Sequence, residues 1–166
     1  MTNAILDKKD IAKETFSFIL GLTTTAMGFF LALYFNAKVQ NEKESGAYIN
    51  IKKSIIAELD QNQITIDSSF LIFIDGIIFN ELNTSSSKQQ LTNDIFIKFT
   101  NSDLLIALQD YIRKCELCNK QNMQLKDLRM ENKENRWETA LQMSMKKTLD
   151  ATEQSIINLR TLLNSR

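Results

Sequence analysis

Thr15–Asn36, TFSFILGLTTTAMGFFLALYFN, runs without a single charged side chain. At about 1.5 Å of rise per residue, these roughly 22 residues reach about 33 Å as a helix, close to the hydrocarbon thickness of a bilayer. The flanks do not suit a cleaved signal peptide. Asp7, Asp10 and Glu14 dilute Lys8, Lys9 and Lys13, the apolar core is too long, and Tyr34-Phe35-Asn36 offers no small-residue cleavage site. Residues 15–36 therefore read as a retained transmembrane helix, preceded by an N-terminal segment at 1–14.

Within this stretch Ser17, Gly21, Thr25, Gly28 and Ala32 recur at spacings of three and four, so they share one helix face. Lipid supplies little hydrophobic drive between helices, and small residues allow the close backbone approach and hydroxyl contacts that take its place. The face is expected to associate with copies of itself in a homo-oligomer. Phe18, Leu20, Phe29, Leu31 and Leu33 present bulky groups to acyl chains, and Tyr34 falls where aromatic belts form. Lysines before and after the span nearly balance, so the positive-inside rule leaves the orientation open. Cys115 and Cys118 sit three apart in a helical pattern, an awkward geometry for a disulfide, and read as core thiols of a reduced compartment. The C-terminal part is accordingly expected to be cytosolic.

The remaining residues suit a helical domain. The chain of 166 residues has no proline and four glycines, so long helices meet few breakers. Residues 37–79 read as a juxtamembrane helical region, with Gly46 the expected bend and a helix from about 46 to 79. Ile51, Ile55, Leu59, Ile66, Phe70 and Phe73 mark its inner face, and Lys52, Lys53, Glu58, Asp60 and Gln61 its solvent face. FLIFIDGIIF at 70–79 is too short to span and reads as domain core, with a membrane-dipping segment as the alternative. NELNTSSSKQQ at 80–90 reads as a loop.

Residues 91–166 read as a soluble helical hairpin domain. DIFIKFT at 94–100 is compatible with a short strand or a short helix. Asn101, Ser102 and Asp103 offer N-caps for a helix to about 130, with Leu104, Leu108, Tyr111, Cys115, Cys118 and Leu125 on its apolar stripe. A turn at 131–135 leads to a second stripe of Trp137, Leu141, Met145, Leu149, Ile156, Leu159 and Leu163. The expected fold is mainly α: an N-terminal transmembrane helix followed by a coiled-coil-like soluble domain, oligomeric as a whole.

Charge and composition narrow the function classes. Twenty basic and twenty acidic residues cancel, which gives no overall field for long nucleic acid. Histidine is absent, there is no glycine-rich phosphate loop, and Cys115-x-x-Cys118 lacks the second pair a zinc site needs. The reading is non-enzymatic, with no catalytic residues, no metal and no cofactor. One local cationic feature stands out, because all five arginines, Arg113, Arg129, Arg136, Arg160 and Arg166, lie in the C-terminal half. Arg129, Lys133, Arg136 and Trp137 form a candidate ligand-binding patch, guanidinium forks for phosphate oxygens beside an indole for stacking. The competing reading is surface charge beside a core tryptophan.

Gly28-FFLALYF-Asn36, then Glu42, then Ile55-Ile56-Ala57-Glu58-Leu59-Asp60-Gln61-Asn62, resembles small bacterial single-span membrane proteins of unknown function, whose span leads into a charged helix ending in a similar Glu-Leu-x-x-Asn. In size, order of parts and Asn- and Lys-rich composition, the chain also resembles the CRISPR-associated type III transmembrane effectors, which bind cyclic oligoadenylate. That resemblance carries over no site residues. It implies a single-pass protein of the bacterial inner membrane, a non-enzymatic effector that senses a cyclic oligonucleotide and perturbs the bilayer in antiviral defence. A constitutive anchor or assembly subunit, recruiting a protein partner through its helices, is the alternative expectation.

Overall fold

The computed structural model describes residues 8–72, 80–130 and 136–165, with side chains described over 11–68, 80–129 and 138–165. Five helices follow in order: α1 Lys8–Ile72, α2 Ser85–Gln90, α3 Asp94–Phe99, α4 Ser102–Met130 and α5 Arg136–Asn164. The chain divides into two units, Met1–Ser45 and Gly46–Arg166.

The first unit holds the N-terminal part of α1. Its apolar side chains are exposed along the whole stretch, among them Phe16, Phe18, Met27, Phe29 and Phe30, and the most apolar window of this helix has no buried residue. An aqueous helix would leave that surface unsatisfied, whereas this one has the length and composition needed to cross a membrane. Thr15, Thr23, Thr24 and Thr25 donate their hydroxyls to carbonyls three or four residues back, so their polar atoms are met within the helix.

The second unit is a bundle around a single apolar core. Ile55, Leu59 and Ile66 of α1 meet Leu108, Cys115 and Cys118 of α4 and Leu149, Ile156 and Leu159 of α5, all fully buried. The direction of each leg follows from long-range contacts. Asn62 of α1 donates to Tyr111 of α4, Tyr48 lies against Phe96 and Phe99, and Lys52 donates to the carbonyl of Leu163 at 2.9 Å. The α1 leg thus runs out, α2 and α3 return along it, α4 runs out again and α5 returns. Gln121–Ser144, Cys118–Thr152 and Lys114–Ser155 contacts, at 3.0, 3.4 and 2.7 Å, set the antiparallel register of α4 and α5.

Local signals start the helices where capping chemistry allows. Asn93 accepts from the Phe96 amide and Asn101 from the Leu104 amide, each at 3.1 Å, so α3 and α4 both begin behind an asparagine cap. Of the two conformations open to DIFIKFT, helix is observed. Two expectations are corrected: residues 85–90 are helical rather than loop, and Glu58, placed on the solvent face by its charge, is 5% exposed in the structure. Gly46 lies within the helical span of α1. The expected core segment at 70–79 and the turn at 131–135 lie outside the described residues.

The segment entering α2 is held by side chains instead of a ladder. Asn62 accepts from the Asn83 amide at 2.8 Å and donates to the Asn83 carbonyl, while Asn119 makes the equivalent pair with Leu82, both bonds at 2.8 Å. Substituting Asn62→Leu orphans both backbone groups of Asn83 and the Tyr111 hydroxyl contact. The expected loss is about 2–4 kcal/mol of unfolding free energy, measured by denaturant titration of the full chain in detergent. A loss under about 0.5 kcal/mol would contradict the role given to this amide.

Candidate functional site

The candidate patch at the α4–α5 end is partly described. Arg129, in the last turn of α4, donates from Nε to Oε1 of Glu138 at 2.9 Å, and Gln142 donates to the same oxygen at 3.2 Å. Both members of the ion pair are about three-quarters buried, so the contact is more than a solvated surface pair. The bond occupies Nε and leaves the terminal guanidinium nitrogens to other partners. Lys133 lies outside the described residues. Arg136 and Trp137 open the first turn of α5, and their side chains are likewise outside what is described. Arg129 was expected to meet ligand; the structure shows it paired with Glu138, which joins α4 to α5.

The candidate association face is fully described. Ser17, Gly21, Thr25, Gly28 and Ala32 fall on one line of α1 and all are exposed. A Cβ added at Gly21 or Gly28 meets nothing within 4 Å. Neither glycine is demanded by packing within one chain.

Sequence reasoning missed a polar cluster in the bundle. Glu58 accepts from the Ser86 amide at 2.7 Å and, with its other oxygen, from the Ser87 hydroxyl at 2.5 Å. The Ser87 amide also points to this carboxyl at 3.4 Å. Glu58 of α1 thereby caps the first turn of α2 from 28 residues away. The signal for burial was present, since Glu58 lies three residues after Ile55 and four before Asn62, inside the apolar stripe of α1. Burial raises the Glu58 carboxyl above its ordinary value near 4.5, against the opposing pull of the serine hydrogen bonds and of Lys88.

The neighbouring thiols have no nucleophilic character. Burial pushes Cys115 up to about 12, and Cys118 is raised for the same reason while its Sγ lies 3.4 Å from the Thr152 hydroxyl. Tyr111 is fully buried and its phenol is also raised, chiefly by desolvation. Among the described residues no three His, Cys, Asp or Glu side chains are grouped to hold a metal. The Asp110 carboxyl is lowered, chiefly by its hydrogen bond from Lys114 and further by bonds from Arg113 and Ser155. Compared with family models, with curated proteins and with solved structures, the chain matches none.

Glu58 and Asp110 bear oppositely on pH dependence. A raised carboxyl keeps its proton longer in the folded state than in the unfolded chain, so its contribution to stability falls as pH climbs from about 4.5 through the raised value. Asp110 contributes stability above its unfolded value and loses it as pH falls through the lowered one. Glu58→Gln is expected to flatten the decline in unfolding free energy between pH of about 4.5 and neutrality. Parallel slopes for wild type and variant, in denaturant titrations across that window, would refute the assignment.

Proposed function

We propose that this chain is a single-span, membrane-anchored effector without enzymatic activity, whose helical bundle senses a small anionic signal and passes the response to the bilayer. The observation that carries the proposal is α1: one helix supplies both the exposed apolar stretch and the first leg of the bundle. In this reading residues 15–36 cross the bacterial inner membrane and the bundle faces the cytosol. Copies associate through Ser17, Gly21, Thr25, Gly28 and Ala32, and the signal is a cyclic oligonucleotide such as cyclic oligoadenylate, as in antiviral defence. Arg129, Lys133, Arg136 and Trp137 are proposed as ligand contacts. What supports them is the run of arginines on α4 and α5 and the terminal nitrogens that the Glu138 bond leaves to Arg129.

A signal works only through differential binding. Moving a bundle from one arrangement to another nearly completely requires about 5.5 kcal/mol of preference for the second state. Several copies of one modest site around an oligomer axis supply that more readily than one copy. The second reading, a constitutive anchor that recruits a protein partner, is favoured by the exposed apolar side chains Ile106, Leu117, Met123, Met143 and Ile157 of α4 and α5.

Titrating the full chain in detergent with cyclic tri-, tetra- and hexa-adenylate, while following binding heat and particle mass, separates the two. Saturable binding by an oligomer is expected; a stable oligomer that binds none of the three returns the anchor reading. Gly28→Ile is expected to lower the particle mass, because a Cβ at this exposed position meets nothing within its own chain and the added bulk falls on the face offered to other copies. An unchanged mass removes the association face.

A further inference from the structure

Between α4 and α5 lies an open groove of about 690 Å³, with cationic side chains on both walls. Arg113, Lys114 and Lys120 come from α4 and Lys147 from α5, while Leu117 and Ala151 give it an apolar lining. Glu116, which also lines the groove, and Asp110, which pairs with the lining Arg113 and Lys114, are already engaged. Asp110 accepts from Lys114 at 2.7 Å, Arg113 at 3.0 Å and Ser155 at 3.1 Å, and Glu116 pairs with Lys88 at 2.6 Å. Lys120 and Lys147 have no ion-pair partner among the described residues. The groove's lining therefore carries a surplus of positive charge, with Lys120 on one wall and Lys147 on the other.

The hydroxyls around it divide by role. Ser144 Oγ accepts from Gln121 at 3.0 Å, which leaves its own proton to donate into the groove. The Thr148 hydroxyl is spent on the Ser144 carbonyl at 3.0 Å. Arg113 and Lys120 are seven residues apart on α4, two turns or about 10 Å, so the cations are spread along the groove instead of gathered at one point. A single phosphate cannot reach both ends; a chain of phosphates can.

We infer that this groove binds a soluble ligand carrying several phosphates, with Lys120 and Lys147 as the main phosphate contacts, Arg113 as a second anchor and Ser144 as a hydroxyl donor. The inference rests on the anion-sensing reading and adds to the Arg129 patch a second contact region, for the phosphates, on the flank of α4 and α5. Like charges lining one groove repel one another, and an anion bound there offsets the repulsion. Its affinity is expected to fall as salt rises, because the contacts are solvent-exposed.

The test uses the full chain in detergent, with inorganic tripolyphosphate as the probe and the cyclic adenylates measured beside it. Lys120→Gln combined with Lys147→Gln is expected to weaken tripolyphosphate binding about tenfold or more, with an unchanged melting temperature, while Lys53→Gln, an exposed lysine outside the groove, leaves it within about twofold of wild type. Equal binding by wild type and the lysine variant, or no binding by wild type, overturns the groove. Dihexanoyl phosphatidylglycerol, with one phosphate in its headgroup, is expected not to compete; equal competition would overturn the assignment to a soluble polyphosphate ligand. Failure of the groove is distinguishable from failure of the sensing reading. If the lysine variant binds neither tripolyphosphate nor adenylate differently from wild type, yet adenylate binds, the signal has another site. If wild type binds neither, both fall.

Discussion

The bundle depends on satisfying a stretch of backbone that brings almost no apolar surface of its own. Residues 82–87 lead into α2 with Leu82, Thr84 and Ser87 buried, and every amide and carbonyl removed from water there needs a partner. Three side chains from neighbouring helices supply them: Asn119 for both groups of Leu82, Asn62 for both groups of Asn83, and Glu58 for the amides opening α2. These residues do what an adjacent strand does in a sheet. The crossing is fixed by side-chain amides and one carboxyl, and the α2–α3 leg takes its position from them.

That arrangement explains why a mostly apolar core tolerates polar groups at its centre. Asn62 is 1% exposed and Tyr111 fully buried, yet each finds a partner in the other. Burying an amide costs several kcal/mol if it is left alone and little when its bonds are made. Glu58 is the less comfortable member, since desolvation outweighs the hydrogen bonds it accepts and raises its proton affinity. The cluster trades some stability for a defined crossing, and apolar side chains at the same positions would leave both backbone groups of Leu82 and Asn83 and the amides of Ser86 and Ser87 without these partners.

The long helices were legible because their stripes repeat. Leu104, Leu108, Tyr111, Cys115, Cys118 and Leu125 on α4, and Met145, Leu149, Ile156, Leu159 and Leu163 on α5, are all buried as their spacing implies. α2 was not legible, since SSSKQQ has no apolar period and serine is an indifferent helix former; its first turn is held by Glu58, a residue 28 positions earlier. Glu58 itself was assigned by residue type to the solvent side, although its position lay within the stripe. The continuity of α1 through Gly46 has the same lesson, because one glycine weakens a helix without breaking it. Of the candidate contacts, Arg129 was found paired with Glu138, a partner nine residues on in the next helix that periodicity on a single helix does not reveal.

The Lys52 bond to the Leu163 carbonyl ties the last turn of α5 to the beginning of the α1 leg, and Arg160 reinforces it through Asp60 at 2.6 Å. The bundle is therefore entered and left at the same end. A tension applied between those two points would not slide α1 and α5 past each other with all their contacts loaded at once. It would peel them apart from that end, breaking Lys52–Leu163 first, then Asp60–Arg160, then Gln63–Glu153, one rung at a time. In mechanical terms the domain is a zipper whose slider is a lysine on a helix end, soft to a pull at its mouth while its core stays closed.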